Sequence, residues 1–433
     1  MLGEAIYVVN RYAFLYPKGM GVAEESIKQR IRAAGPITFA EFMERALYGP
    51  GGYYTQGQPI GAGGDYYTSP AAHPAFGALL ALQMEQMWGL LGSPLTFTVV
   101  EAGAGDGTLA TDILEYAQHL DPGFYAALCY TALDAHPRGK SAVTPPKLRW
   151  GSKDFGRQSS DFGGDRFTGC ILSNELIDAL PVHRIRMRQG ETEELYVALD
   201  GDALTERWDK PSTPEVLQRL SQDGVPLPEG QEAEVNLRAA SWMAQAAQAL
   251  DRGYALTIDY GDLAEDLFKP ERSRGTVVSY YHHTLQGDPY SRIGRQDITA
   301  HANFTTLIKA GLAHGLQPVT LMTQAEFLRN LGLDLLCERL AAAPGQESDL
   351  AALRDLVKAD GLGNFRVLIQ SKNAPTKNLA ALGHDLRYRT NLATRLASLP
   401  PPRLGERHID LLRGRFPHQA ETEMTGSWDD LLR

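Results

Sequence analysis

Glu175 and Asp178 stand three residues apart in Ser173-Asn174-Glu175-Leu176-Ile177-Asp178-Ala179-Leu180-Pro181-Val182. On a helical turn that spacing puts both carboxylates on one face. Two carboxylates so placed can hold a guanidinium by paired hydrogen bonds and localise its charge. One guanidinium nitrogen then keeps a richer lone pair for attack on an electrophile. A helix N-cap beside a solvated acid is the plainer use of the same residues. A second set is Glu101-Ala-Gly103-Ala-Gly105-Asp-Gly107, which follows the apolar run Leu95–Val100 and precedes a helix-like stretch, Thr108–Leu120. Strand, glycine turn and helix make a nucleotide-binding loop. The glycines turn tightly and let a ligand approach the backbone.

A dinucleotide loop of the GxGxxG type needs glycine at 108, where this chain has Thr108. With Glu101 ahead of the first glycine, the pattern points to S-adenosylmethionine. That ligand presents an amino-acid end, a ribose diol, an adenine and a sulfonium. The turn and the helix start at Thr108 would serve the amino-acid end through backbone N–H groups. Glu101 lies under the turn, for backbone N–H groups or the ligand's amine. Asp134 closes the run Cys129–Asp134 and would accept the ribose hydroxyls; its alternative is an N-cap before His136-Pro137. Asp154 and Phe155 would meet the adenine amino group and ring, or else form a surface loop. Asn174 borders both sets and counts with each. His282-His283 reads as a surface pair. Asp297-Ile-Thr299-Ala-His301 either faces the site or caps a helix over 304–314.

Elements must hold these groups at one edge. Alternating strands and helices predict an α/β fold with a parallel sheet. Strands are expected at 95–101, 127–134, 147–150, 169–174 and 254–260, with a terminal pair at 317–322 and 365–370. Helices are expected at 74–91, 108–120, 232–250, 304–314, 324–342 and 347–360, and one starting near Ile177. Residues 23–50 read as a helical cap, with Thr38 and Glu41 as a capping box. Alternation around Gly190 and Gly201 predicts a β-meander over 183–207. The stretch 262–300 is a long polar loop with one β-rich segment, Thr276–Tyr281. This divides the chain into a tail (1–22), a cap with a covering loop (23–70), a main domain (71–372) and an appendage (373–433). Insertions in the main domain fall at about 183–230, 262–300 and 324–360, the last a helical lid.

Composition sets the bounds. The 433 residues are 43% hydrophobic and 22% charged, as in a soluble globular protein. A net charge of −10 argues against a nucleic-acid partner. Three scattered cysteines match no metal-ligand spacing, so no metal is expected. No apolar run is long enough to span a membrane, and the first residues make a poor signal peptide. Cytoplasm is the expected location; a homodimer is left open.

Five motifs in order resemble the MidA-like family of class I methyltransferases. They are Gly64-Asp65-Tyr-Tyr-Thr68-Ser69-Pro70, Glu101 to Leu109, Asn174 to Pro181, Ile258-Asp-Tyr-Gly261, and Asp297 to His301 through Phe304. The resemblance covers about residues 26–372. It implies the class I sheet of parallel strands plus a terminal antiparallel pair. It also implies that Asp65, Thr68, Ser69 and Pro70 lie over the cofactor pocket. Mitochondrial members of the family assist assembly of respiratory complex I and methylate a protein arginine. The function so implied is methylation of a protein arginine. Methylation of a small molecule or another side chain, and a non-catalytic assembly role, stay open. Family members often have Glu where this chain has Asp134, and the tail after 372 lies outside the shared pattern.

Overall fold

The computed structural model describes residues 21–56, 68–136, 145–152, 166–281, 284–383 and 386–408. Asp65, Asp154, Phe155 and His282-His283 lie outside the described residues.

A seven-stranded sheet organises the chain: β1 (Phe97–Ala102), β2 (Leu128–Asp134), β3 (Leu148–Ser152), β4 (Phe167–Asn174), β5 (Leu250–Asp259), β6 (Gln317–Thr323) and β7 (Arg366–Lys372). Their spatial order is β3-β2-β1-β4-β5-β7-β6. The first five run parallel, and β7 is antiparallel to both β5 and β6. This is the expected sheet. The order turns back between β1 and β4, where a crevice opens at the strand ends and open α/β sheets bind ligands.

Side-chain alternation divides the strands between two apolar layers. Val99, Cys170, Leu172, Leu256 and Ile369 pack under the helices Ala75–Leu90 and Thr108–Ala117. Val100, Ala102, Ile171, Ala255 and Leu368 pack on the helices Leu237–Ala249 and Phe304–Ala313. Both faces are covered, so the strands read as apolar runs.

Several boundaries differ from expectation. β1 starts at Phe97, leaving Leu95 96% exposed. Glu232–Val235 is a strand and not a helix start, because it pairs with His183–Arg186. The helix begins after Asn236, whose side chain accepts the Ala239 N–H at 2.8 Å. The stretch 324–342 is two helices, broken at Gly332 with φ +105°. The 262–300 segment holds a short helix, Ala264–Leu267, and a sheet of Val278–Tyr281, Thr284–Gln286 and Asp297–Thr299. The meander forms from His183–Arg188, Glu191–Asp200 and Ala203–Asp209, joined by Ile37–Thr38 and Glu232–Val235.

Half of the capping box forms at residue 38. Thr38 accepts the Glu41 N–H at 3.1 Å, but the Glu41 carboxylate turns to Arg30 and Arg45. The segment after 372 packs into the main core through Leu379, Leu392, Leu396 and Leu399. It covers the outer face of helix Ala75–Leu90, where Gln83 accepts the Ala381 N–H and Glu85 pairs with Arg395. That helix is therefore buried on almost every side, as its apolar sequence requires.

Candidate active site

The glycine turn sits between β1 and the helix Thr108–Ala117. Gly103, Gly105 and Gly107 have φ of +75°, +56° and +83°, a region that side chains disfavour. Gly103 and Ala104 donate to Leu133 O at 2.9 and 3.0 Å. Gly105 donates to Asp134 Oδ2 at 2.8 Å, and His136 N–H donates to Asp134 Oδ1 at 2.8 Å. Asp134 therefore ties the turn to the end of β2. A Cβ on Gly107 would lie 2.6 Å from the Trp150 ring.

A pocket opens above this turn. Its wall carries Thr68, Pro70, Glu101, Gly103, Gly105, Asp106, Thr108, Asp134, Asn174 and Glu175. The structure thus gathers residues that the sequence offered from four separate segments. Ser69 is buried behind the wall. Its N–H donates to Glu175 Oε1 at 3.2 Å and its hydroxyl to Gln324 Oε1 at 3.0 Å. Glu101 is buried, with Tyr130 OH donating to Oε2 at 2.8 Å. Burial pushes its carboxyl up to about 8.

No helix forms near Ile177, and Glu175 and Asp178 share no helical face. Asp259, at the end of β5, takes the backbone instead: its Oδ2 accepts Leu176 N–H at 3.1 Å and Ile177 N–H at 2.7 Å. Glu175 is left at φ +52°, its N–H on Ile258 O at 2.9 Å. That conformation puts its carboxylate on the pocket wall, where Asn174 Nδ2 donates to Oε1 at 2.9 Å. Burial, then the nearby charge of Asp178, pushes the Glu175 carboxyl up to about 8. Asp178 itself is not on the wall. Burial and the charges of Asp259 and Asp297 push it well above the usual carboxylate range.

Asp297 is buried and accepts from Tyr54 OH at 3.1 and 3.0 Å. The helix Phe304–Ala313 is capped by Asn303, which removes that use for the 297–301 segment. His301 Nδ1 accepts from Arg272 Nη1, 2.9 Å away, and burial lowers its imidazole to about 3.

Sequence reasoning did not single out Tyr48, Tyr54, Arg238 or Arg407, all on the pocket wall. Tyr48 and Tyr54 stack with centroids 5.3 Å apart, and Arg238 pairs with Glu44. The parallel register of β4 and β5, with Ile258 opposite Asn174, was the signal that could have placed Asp259 here.

This wall suits a nucleoside ligand with an amino-acid end. The turn leaves backbone accessible, two carboxylates stand at the ends of β1 and β2, and Asn174 Oδ1 is buried with no partner among the described residues. Residues 79–322 match the profile of a family described as S-adenosyl-L-methionine-dependent methyltransferase. The chain belongs to that family.

A protein arginine methyltransferase NDUFAF7 homolog, mitochondrial, of Drosophila melanogaster is 30% identical over 314 residues, 66% of this chain and 69% of its own. The human protein arginine methyltransferase NDUFAF7, mitochondrial, is 28% identical over 347 residues, 71% and 72% of the two chains. A crystal structure from Burkholderia thailandensis, bound to S-adenosyl-homocysteine, is 28% identical with a TM-score of 0.73. It covers 87% of this chain and 98% of that one. The methyltransferase's cofactor is S-adenosylmethionine, as the glycine turn suggested. The expected cytoplasmic location does not stand, because these relatives are named as mitochondrial. No helix among the described residues is long and apolar enough to cross a membrane.

Proposed function

We propose that this methyltransferase transfers a methyl group to an arginine side chain of a protein. The carrying observation is the Glu175 carboxylate, held on the cofactor-pocket wall by Asn174 and Ser69 with Asp178 and Asp259 behind it. Carboxyls crowded at low polarity resist ionisation, and a guanidinium placed among them is stabilised by all of them. Glu175 would hold the guanidinium and localise its charge. Asp178 would add field from behind the wall. Asn174 would orient Glu175 on one side and meet the cofactor on the other.

Around the cofactor, Asp134 would accept the ribose hydroxyls. Glu101, Gly103, Gly105, Gly107 and Thr108 would frame the amino-acid end, with Thr68 and Pro70 on the wall and Ser69 behind it; the resemblance adds Asp65 as a cofactor-binding residue. Asp154 and Phe155 remain our choice for adenine. Bound, the cofactor supplies an electrophilic methyl group on a sulfonium. The chain's part is orientation and exclusion of water, which suffice for an in-line displacement. The relatives named as protein arginine methyltransferases support the reading. The resemblance links the reaction to respiratory complex I assembly.

Methyl-labelled cofactor incubated with candidate proteins tests this. Label recovered in methylarginine after hydrolysis is expected; label confined to a small molecule overturns it.

A further inference from the structure

Among the described residues on the pocket wall, two side chains carry a permanent positive charge, Arg238 and Arg407. Arg238 is tied to Glu44 of the N-terminal cap. Arg407 comes from the far end of the chain, outside both the family match and the five motifs. It is tied to the helix that the glycine turn opens. Its Nη2 donates to Asp112 Oδ1 at 3.1 Å and to Glu115 Oε2 at 2.7 Å.

The strand of chain that delivers it is firmly seated. Leu404 N–H donates to Asp349 Oδ1 at 3.0 Å, on the helix Glu347–Asp355. Gly405 N–H donates to His408 Nδ1 at 3.1 Å, and the opposite ring nitrogen lies 2.9 Å from Asp112 Oδ2. His408 and Asp112 are both buried. Arg339 holds the preceding turn through Leu399 O at 2.6 Å.

Such anchoring fixes a guanidinium beside Asp106, Thr108 and Leu109 of the wall. Both bonds to acids use Nη2, so the Nη1 hydrogens remain as donors for another acceptor. An Nη1 N–H gives a carboxylate a charge-assisted hydrogen bond. S-adenosylmethionine carries one carboxylate, on the amino-acid end assigned above to the turn and the helix start at Thr108.

We infer that Arg407 is a cofactor-binding residue that takes the carboxylate of the cofactor's amino-acid end, so that residues 403–408 complete the cofactor site. The two acids keep the guanidinium oriented, and Glu101 and Asp106 complement the ligand's ammonium. The inference concerns the cofactor alone and stands whether or not arginine is the methyl acceptor.

Calorimetric titration of the full chain with two probes tests it. S-adenosylhomocysteine has the amino-acid end; 5′-methylthioadenosine shares the adenosine and sulfur but lacks that end. Arg407→Gln should weaken S-adenosylhomocysteine at least about tenfold, the worth of one charge-assisted hydrogen bond. It should leave methylthioadenosine unchanged, and Arg407→Lys should recover part of the loss. Equal weakening of both probes would mean a merely structural role and would overturn the inference. So would unchanged affinity for both.

Discussion

Glu175 occupies a backbone conformation that costs about 1–2 kcal/mol for a residue with a side chain. What holds it there is a set of hydrogen bonds from three elements: Ile258, Ser69 and Asn174. Glu175→Gln keeps the shape and removes the charge. Losing a charge-assisted contact of about 1.5–3 kcal/mol should lower kcat roughly 10- to 100-fold. Binding of S-adenosylhomocysteine should change little, and paired kinetic and calorimetric measurements check both. Gly107→Ala makes the opposite demand. Its Cβ would meet the Trp150 ring at φ +83°, so the ring must move before the turn can form. A lower Tm and weaker S-adenosylhomocysteine binding are expected, by at least the strain of about 1–2 kcal/mol.

Asp259 shows how an element end does the work of a helix. Its buried carboxylate gathers the N–H groups of Leu176, Ile177 and Tyr260, and so shapes the loop after β4. Asp259→Asn leaves one oxygen where two now accept. A loss of about 1.5–3 kcal/mol in chemical denaturation is expected, with a fall in kcat as Glu175 loses its support. The sheet was legible because buried parallel strands are apolar runs between glycines, as in Val99-Val100 and Ile171-Leu172. The glycine turn was legible because its residue types follow from its backbone. The loop 174–182 was not: its spacing imitates a helix, and the carboxylate that prevents one lies more than 80 residues downstream. Residues 392–399 were missed because their periodicity is weak, and Leu392, Leu396 and Leu399 acquire meaning only against the main core, helices Ala75–Leu90 and Leu333–Ala341 included.

Across the molecule, buried acids set a pH dependence. The carboxyls of Glu101 and Glu175 are pushed up to about 8 and that of Asp259 to about 7, mainly by burial. Unfolded carboxylates release their protons near pH 4. The folded chain therefore holds extra protons between these limits, and its stability falls as pH rises. Buried His73 and His301 act the other way, because their lowered values mean stability gained up to about pH 6.5. Above about 6.5 only the acids remain, so Tm should drop between pH 6.5 and about 8. Glu175→Gln should shrink the drop, and thermal melts across that range check it. The seating of His408 on Asp112 has a consequence in time. The two residues are 296 positions apart. A ribosome adds about 5–20 residues per second, so Asp112 waits roughly 15–60 s for its partner. During that interval the glycine turn, β1 and β2 are already synthesised. A nascent chain can assemble most of the sheet while its cofactor site still lacks a wall.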